Sequence, residues 1–245
     1  MRTRCVENSF SIRHRAYFAM WIIGDIHGCL RELDALLDRI PEHEPLLFLG
    51  DYVDRGPDSA GVIERCLREK ERSTFLMGNH ESMMIHYFTD PGSDEARSWL
   101  HPLNGGKSTL ASYRLSPGAS FDSVPETHRA FLDSLLLYYE SDNFLCVHAG
   151  LDVSEPDISR QMRDTILWIR TPWIQHESKW KGKHVYYGHT PTRYVNGMEN
   201  YRELIDGRKS TGLDTGCVYG GCLTALNAEN GAVIQVAAEK NYWDP

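Results

Sequence analysis

Residues 20–56 read MWIIGDIHGCLRELDALLDRIPEHEPLLFLGDYVDRG, and this stretch decides the fold class. Two short apolar runs, MWIIG and LLFLG, each end in a glycine followed at once by an aspartate. Between them Leu30, Leu33, Leu37 and Ile40 recur at helical spacing. A further helical segment near 58–70 and a third apolar run, TFLMG at 74–78, continue the rhythm, so the N-terminal part reads β-α-β-α-β. The runs are continuously apolar rather than alternating, as expected where helices or a second sheet cover both faces of the strands. Each run delivers polar residues at its carboxyl end, Gly24-Asp25, Gly50-Asp51 and Gly78-Asn79, where the functional side chains of open α/β sheets sit.

Residues 82–142 have a different texture. They contain Met83, Met84, His86, Trp99 and the turn Asn104-Gly105-Gly106, then a helix expected from Glu126 to Tyr138 around Phe131, Leu132 and Leu135. The stretch reads as an inserted helical cap. Strands resume at FLCVHAG (144–150), HVYYGHTPT (184–192) and CLTALNAENGAVIQVAAE (222–239), the last a hairpin turned at Asn230-Gly231. Residues 1–19 show neither helical nor strand periodicity and read as an extension without an assigned role; residues 20–245 read as one domain.

Composition narrows the function classes. With 245 residues, 41% hydrophobic and 24% charged, the chain can build one sizeable core. No run approaches the ~18 apolar residues that span a bilayer, and the N-terminus lacks the apolar block of a signal peptide, so a cytoplasmic protein is expected. The six cysteines are scattered without a C-x-x-C pair, which suggests neither a structural zinc site nor a disulfide framework. A net charge of -8 with no basic tract argues against a nucleic-acid track. An acidic protein that holds an anionic substrate needs local positive charge, from metal ions and a few placed arginines.

Five polar clusters follow the strand-like runs: Gly24-Asp25-Ile26-His27-Gly28, Gly50-Asp51-Tyr52-Val53-Asp54-Arg55-Gly56, Gly78-Asn79-His80-Glu81, His148-Ala149-Gly150 and Gly188-His189. Asp, His and Asn without Cys form a hard-to-borderline ligand set, suited to Mn(II), Fe, Zn or Mg. One carboxylate can bridge two ions, and a pair ~3.5–4 Å apart activates water while polarising a phosphoryl oxygen.

These clusters resemble the signature of the phosphoprotein phosphatase branch of the calcineurin-like metallophosphoesterases, in its bacterial and phage-type serine/threonine protein phosphatase subgroup. The resemblance runs from about residue 21 to 226. It includes Asn104-Gly105-Gly106 with Thr109-Leu110 and Ser112-Tyr113, Leu167-Trp168-Ile169-Arg170, and Leu213-Asp214-Thr215-Gly216-Cys217 with Gly220-Gly221. It implies an α/β fold, a four-layer αββα sandwich of two mixed sheets, with a two-metal site at one edge. Carried over by position, it puts Asp25 and His27 on the first metal, Asp51 as the bridge, and Asn79, His148 and His189 on the second. His80 would protonate the leaving oxygen, with Asp54 orienting it and keeping it protonated. Arg55 and Arg170 would bind phosphate oxygens. Two divalent ions are implied, Mn2+ first among Fe, Zn and Mg, with in-line attack on phosphorus by a metal-bridging hydroxide and no phosphoenzyme. Glu81 reads as a helix cap or a support of the site, and Cys29 as packing.

On substrate, the residues favour a phosphorylated protein or another phosphate monoester over a dinucleoside polyphosphate. The symmetrical diadenosine tetraphosphate hydrolases carry Ala-Arg-Gly where this chain has Asp54-Arg55-Gly56, and Asn-His-Asp where it has Asn79-His80-Glu81. The alternative within the same chemistry is therefore diadenosine tetraphosphate hydrolysis. An alternative of another class, a non-catalytic metal-stabilised domain that binds phosphorylated partners, is disfavoured because all six ligand types and the acid are present.

Overall fold

The computed structural model describes residues 20–243, so the N-terminal extension 1–19 lies outside the described residues. Strands β1 (Trp21–Ile23), β2 (Leu46–Phe48) and β3 (Ser73–Phe75) pair in parallel, joined through helices α1 (Leu30–Leu37) and α2 (Ser59–Arg68). Helix α2 starts where Asp58 accepts a hydrogen bond from the Gly61 N–H at 2.8 Å, and it ends on Arg65 and Arg68, whose charges suit the helix C-terminus. Next come α3 (Asn79–Thr89), α4 (Asp94–Trp99), α5 (Gly106–Ser112) and α6 (Glu126–Asp133). Strands β4 (Tyr138–Glu140) and β5 (Phe144–Val147) precede α7 (Arg163–Trp168) and α8 (Thr171–His176). The chain finishes with β6 (His184–Tyr187), α9 (Arg193–Asn196), β7 (Ile205–Asp206), β8 (Ser210–Gly212), β9 (Cys222–Asn227) and β10 (Val233–Ala237).

Two five-stranded mixed sheets result, ordered β10-β9-β1-β2-β3 and β4-β5-β6-β8-β7. The alternation of a strand divides each apolar run between two cores. Trp21, Ile23, Leu46 and Phe48 face α1 and α2, while Ile22 and Leu47 face the second sheet and meet Cys146, Leu213 and Leu226. In the second sheet Leu145, Val147, Val185 and Tyr187 face away, against Ile166 of α7 and Trp173 of α8, while Phe144 and Tyr186 turn to the first sheet. The continuous apolar runs are explained: both faces of each central strand are buried, in the expected four-layer αββα order.

Two expectations need amendment. The helix expected from Glu126 to Tyr138 stops at Asp133, and Tyr138 instead opens edge strand β4, paired antiparallel with β5. The 82–142 segment does not stand apart from the body either: Met83, Met84, Trp99, Leu110, Phe131 and Leu132 belong to the same core as α1 and α2. No helix among the described residues is long and apolar enough to cross a membrane.

Candidate metal centre

The carboxyl ends of β1, β2, β5 and β6 and the start of α3 converge at one edge of the sandwich. They bring together Asp25 and His27, Asp51, His148, His189, and Asn79 with His80. All seven are buried. Asp51 lies at the middle: one ligand atom each from His27, Asp51 and His80 falls within 4.8 Å of the others, and so does one each from Asp51, His148 and His189. A carboxylate shared by two such groups has the position that bridging two ions requires. Its Oδ2 is 3.4 Å from His27 Nε2 and 3.9 Å from His80 Nε2, and its Oδ1 is 3.4 Å from His148 Nε2.

The donor set fits cations and fits poorly without them. His148 Nδ1 lies 2.8 Å from the Leu49 carbonyl, which only accepts, so that nitrogen carries the hydrogen. Burial takes the imidazole down to about 4, so it is neutral, and its Nε2 lone pair faces Asn79 Oδ1 at 3.0 Å. Two acceptors meet there with nothing between them to donate. His27 repeats the arrangement, with Nδ1 2.9 Å from the Val53 carbonyl and its Nε2 lone pair turned inward. A cation already meets that lone pair: the Arg55 guanidinium, with Nη1 2.6 Å from Nε2. His189 Nε2 is enclosed and has no hydrogen-bond partner. Burial lifts Asp51 to about 7 and Asp25 well above the carboxylate range, the latter also through neighbouring Asp214 and Asp51. Three enclosed carboxylates beside neutral imidazole lone pairs form the environment that divalent ions stabilise.

Backbone strain concentrates here. His27, Asp51, Asp54, Arg55 and His189 all have left-handed φ, between 47° and 73°, and Arg114 is the one other non-glycine residue among the described residues that does. Each such conformation costs about 1–3 kcal/mol, held in place by surrounding contacts. Glu81 supplies much of that hold: its carboxylate accepts the N–H groups of Asp51, Tyr52, Val53 and Gly78 at 2.8–3.1 Å, pinning the loop that bears Asp51 to the start of α3. Gly78 and Gly188 allow close approach, since a Cβ at either would lie 2.1 Å from Asp51 Oδ1 or Asp25 Oδ1. Asp25 in turn accepts the His189 N–H at 3.0 Å.

His80 and Asp54 form a pair, Nδ1 to Oδ2, at 2.7 Å. The aspartate also accepts from Trp99 Nε1 at 2.9 Å and Thr109 Oγ1 at 2.7 Å. Enclosure works against the expectation that Asp54 keeps the imidazole protonated: burial, with Arg55 next, pushes His80 well below its ordinary range, and burial pushes Asp54 up. Arg170 does not project freely; its Nη1 donates to the His189 carbonyl at 2.6 Å and to Thr190 Oγ1 at 3.3 Å. Arg55, Arg170 and His189 open onto a cleft of about 570 Å3, walled by Ile174, Tyr194, Val195 and Tyr219.

A family model described as calcineurin-like phosphoesterase matches residues 18–221, a span that contains every one of these residues. The chain belongs to that family. As a calcineurin-like phosphoesterase it is a hydrolase of phosphoesters, and its buried Asp, His and Asn donors suit the divalent ions on which such enzymes depend. The chain is 27% identical to bis(5'-nucleosyl)-tetraphosphatase PrpE [asymmetrical] of Geobacillus sp. (strain WCH70), covering 90% of this chain and 95% of the relative. A solved structure described as a candidate diadenosine tetraphosphatase superposes with TM-score 0.65 at 25% identity, covering 91% of this phosphoesterase and 95% of that chain. A protein serine/threonine phosphatase from Saccharomyces cerevisiae superposes with TM-score 0.57 at 15% identity, over 91% of this chain and 80% of that one, a likeness of fold alone.

Sequence reasoning assigned no role to three residues that the phosphoesterase site uses. Trp99 and Thr109 hold Asp54 from helices α4 and α5, far along the chain, and Trp99 carried no local signal. Asp214 is 4% exposed beside Asp25, with its Oδ1 accepting the Gly216 N–H at 3.0 Å. It stood inside a stretch that resembled the family, without a stated function.

Proposed function

We propose that this phosphoesterase hydrolyses dinucleoside polyphosphates, cleaving a tetraphosphate asymmetrically to a nucleoside triphosphate and a monophosphate. The observation that carries the reading is the cleft. It runs from Arg55, Arg170 and His189 to an aromatic wall, within the size range of nucleotide-binding pockets. Tyr194 is 65% exposed, and the Arg193 guanidinium lies 4.9 Å from its ring centroid and 4.2 Å from that of Tyr219. The three side chains form a cationic, aromatic platform on which a nucleobase can stack while its phosphates reach the arginines. A phosphoserine or phosphothreonine side chain has no ring for such a wall. Full-length similarity to relatives named as asymmetrical tetraphosphatases supports the same substrate. The contrast drawn at Asp54 and Glu81 concerned symmetrical hydrolases and does not weigh against asymmetrical cleavage.

In this reading Asp25 and His27 would hold one divalent ion and Asn79, His148 and His189 the other, Asp51 would be shared between them, and Mn2+ would be the working ion. When bound, the pair supplies an activated water and a polarised phosphoryl oxygen. Asp54 fixes the His80 tautomer, with the hydrogen on Nδ1, and aims Nε2 into the site. Once the anionic phosphate is bound beside it and favours the doubly protonated imidazolium, His80 delivers its Nε2 proton to the departing phosphate oxygen. Arg55 and Arg170 bind the phosphoryl oxygens through their planar guanidinium groups.

Nucleotide products from diadenosine tetraphosphate, followed by chromatography beside phosphate release from phosphoserine and phosphothreonine peptides, test this directly. Equal amounts of ATP and AMP, with turnover well above that of the peptides, are expected. Preferential peptide dephosphorylation would restore the protein-phosphatase reading, and two ADP per substrate would move the cut to the centre of the chain.

A further inference from the structure

A second group of metal-binding atoms lies beside the dinuclear site, on the α1 side. Cys29, Glu32 and Cys217 bring two thiol sulfurs and a carboxylate oxygen within 4.8 Å of one another. All three residues are buried, at 0%, 3% and 1% exposure. Glu32 Oε1 is satisfied by the Glu239 N–H at 2.9 Å and the Tyr242 hydroxyl at 2.8 Å. Glu32 Oε2 is enclosed and has no hydrogen-bond partner. The adjacent Arg31 does not relieve it, being paired with Glu239 on the surface. A buried carboxylate oxygen with nothing to accept is costly unless a cation reaches it, and two thiol sulfurs lie within 4.8 Å of this carboxylate, that of Cys29 also 3.6 Å from the His27 carbonyl.

We propose that Cys29 Sγ, Cys217 Sγ and Glu32 Oε2 form a third metal site, chemically distinct from the dinuclear centre and suited to Zn2+. Two sulfurs and one oxygen make a borderline-soft set, unlike the all-oxygen-and-nitrogen catalytic ligands, and Zn2+ accepts both donor types in four-coordinate sites. A cavity of about 380 Å3, lined by Glu32 and Tyr242 among others, borders Glu32 and provides an entry path. A disulfide between the two cysteines explains less, because it leaves Glu32 Oε2 without a partner. The site joins three segments: the start of α1 directly after Asp25 and His27, the turn after Asp214, and, through Glu32, the C-terminal residues Glu239 and Tyr242. An ion there braces the catalytic loops from outside the reaction. The two cysteines are too distant in sequence to form a recognisable pair, which is why their spacing suggested no zinc site.

Metal-stripped, reduced full-length protein titrated with Co2+ tests the proposal through thiolate-to-cobalt charge-transfer absorption. The dinuclear centre contains no sulfur and cannot produce that band. The band is expected to reach its plateau within three Co2+ per chain, the dinuclear centre taking up the other two, to vanish on addition of Zn2+, to be lost in Cys217→Ser and to persist in Cys66→Ser. Glu32→Gln is expected to keep the band at saturating Co2+ while weakening binding at this site by about tenfold, the loss of one ligand contact. Should Cys217→Ser fail to fold, Cys29→Ala read the same way decides. No band in the wild-type protein, a band that survives loss of either cysteine, or a Cys29–Cys217 disulfide in freshly purified protein would overturn the assignment.

Discussion

Changing Glu81 to Gln alters one atom of the side chain and tests how the metal loop is held. Glu81 Oε1 accepts from the Tyr52 and Val53 N–H groups, and Oε2 from those of Asp51 and Gly78. A glutamine keeps the shape and one acceptor, but its NH2 must face two backbone donors. Each buried donor left without an acceptor costs about 1–3 kcal/mol, so the pair costs about 2–6 kcal/mol. For a chain of this size about 2–4 °C of Tm accompanies each kcal/mol, which sets the expected fall at no less than about 4 °C. The same loop carries Asp51 in its left-handed conformation, so Mn2+ affinity should fall with stability. Calorimetric melting of the metal-free wild type and variant, followed by Mn2+ titration of each at a temperature where both are folded, gives the two numbers. A Tm within about 1 °C of wild type with unchanged Mn2+ affinity would refute the argument that Glu81 holds the loop.

The remaining predictions concern chemistry, metal and substrate. His80→Asn should lower kcat by about 10²–10⁴ on a substrate with a poor leaving group while metal content and KM stay near wild type. A kcat within about threefold would remove His80 from the proton-donor role, and p-nitrophenyl phosphate, whose leaving group needs little protonation, does not test it. Chelation with EDTA should abolish turnover and Mn2+ restore it, and restoration by no divalent ion would refute the assigned centre. Burial raises Asp51 from 3.8 to about 7, so the metal-free fold keeps that carboxyl protonated in acid and loses the associated stability as pH rises through about 7. Metal binding must displace that proton, and any held by Asp25, so apparent Mn2+ affinity should fall by at least about tenfold per pH unit below 7; a flat profile between pH 5 and 7 would contradict it. Tyr194→Ala should raise KM for diadenosine tetraphosphate by about 5- to 150-fold, the ~1–3 kcal/mol of a stacked base, and leave p-nitrophenyl phosphate unaffected. An equal effect on both substrates would remove the base from that wall.

The sequence was most legible where burial demanded apolar runs. Ile22, Leu47 and Leu145 had to be strand residues because both faces of their strands are covered. Strand β8, Ser210–Gly212, gave no such sign, although it is fully buried between β6 and β7. Its place beside Tyr187 takes small residues, since a Cβ on Gly212 would lie 2.8 Å from that ring, and small polar residues look like a loop. The site divides in the same way. Asp25, His27, Asp51, Asn79, His148 and His189 sit directly after strands, in short clusters whose composition announces metal binding. Trp99 and Thr109 act through hydrogen bonds to Asp54 across tens of residues, and such bonds leave no pattern in a linear sequence. The cleft was equally hidden, because Tyr194 and Tyr219 become neighbours only when α9 folds against the turn after β8.

Arg55 Nη1 lies 2.6 Å from His27 Nε2, so the arginine proposed to grip the phosphate and a proposed metal ligand share one contact, and a change that moves either side chain should be felt by the other.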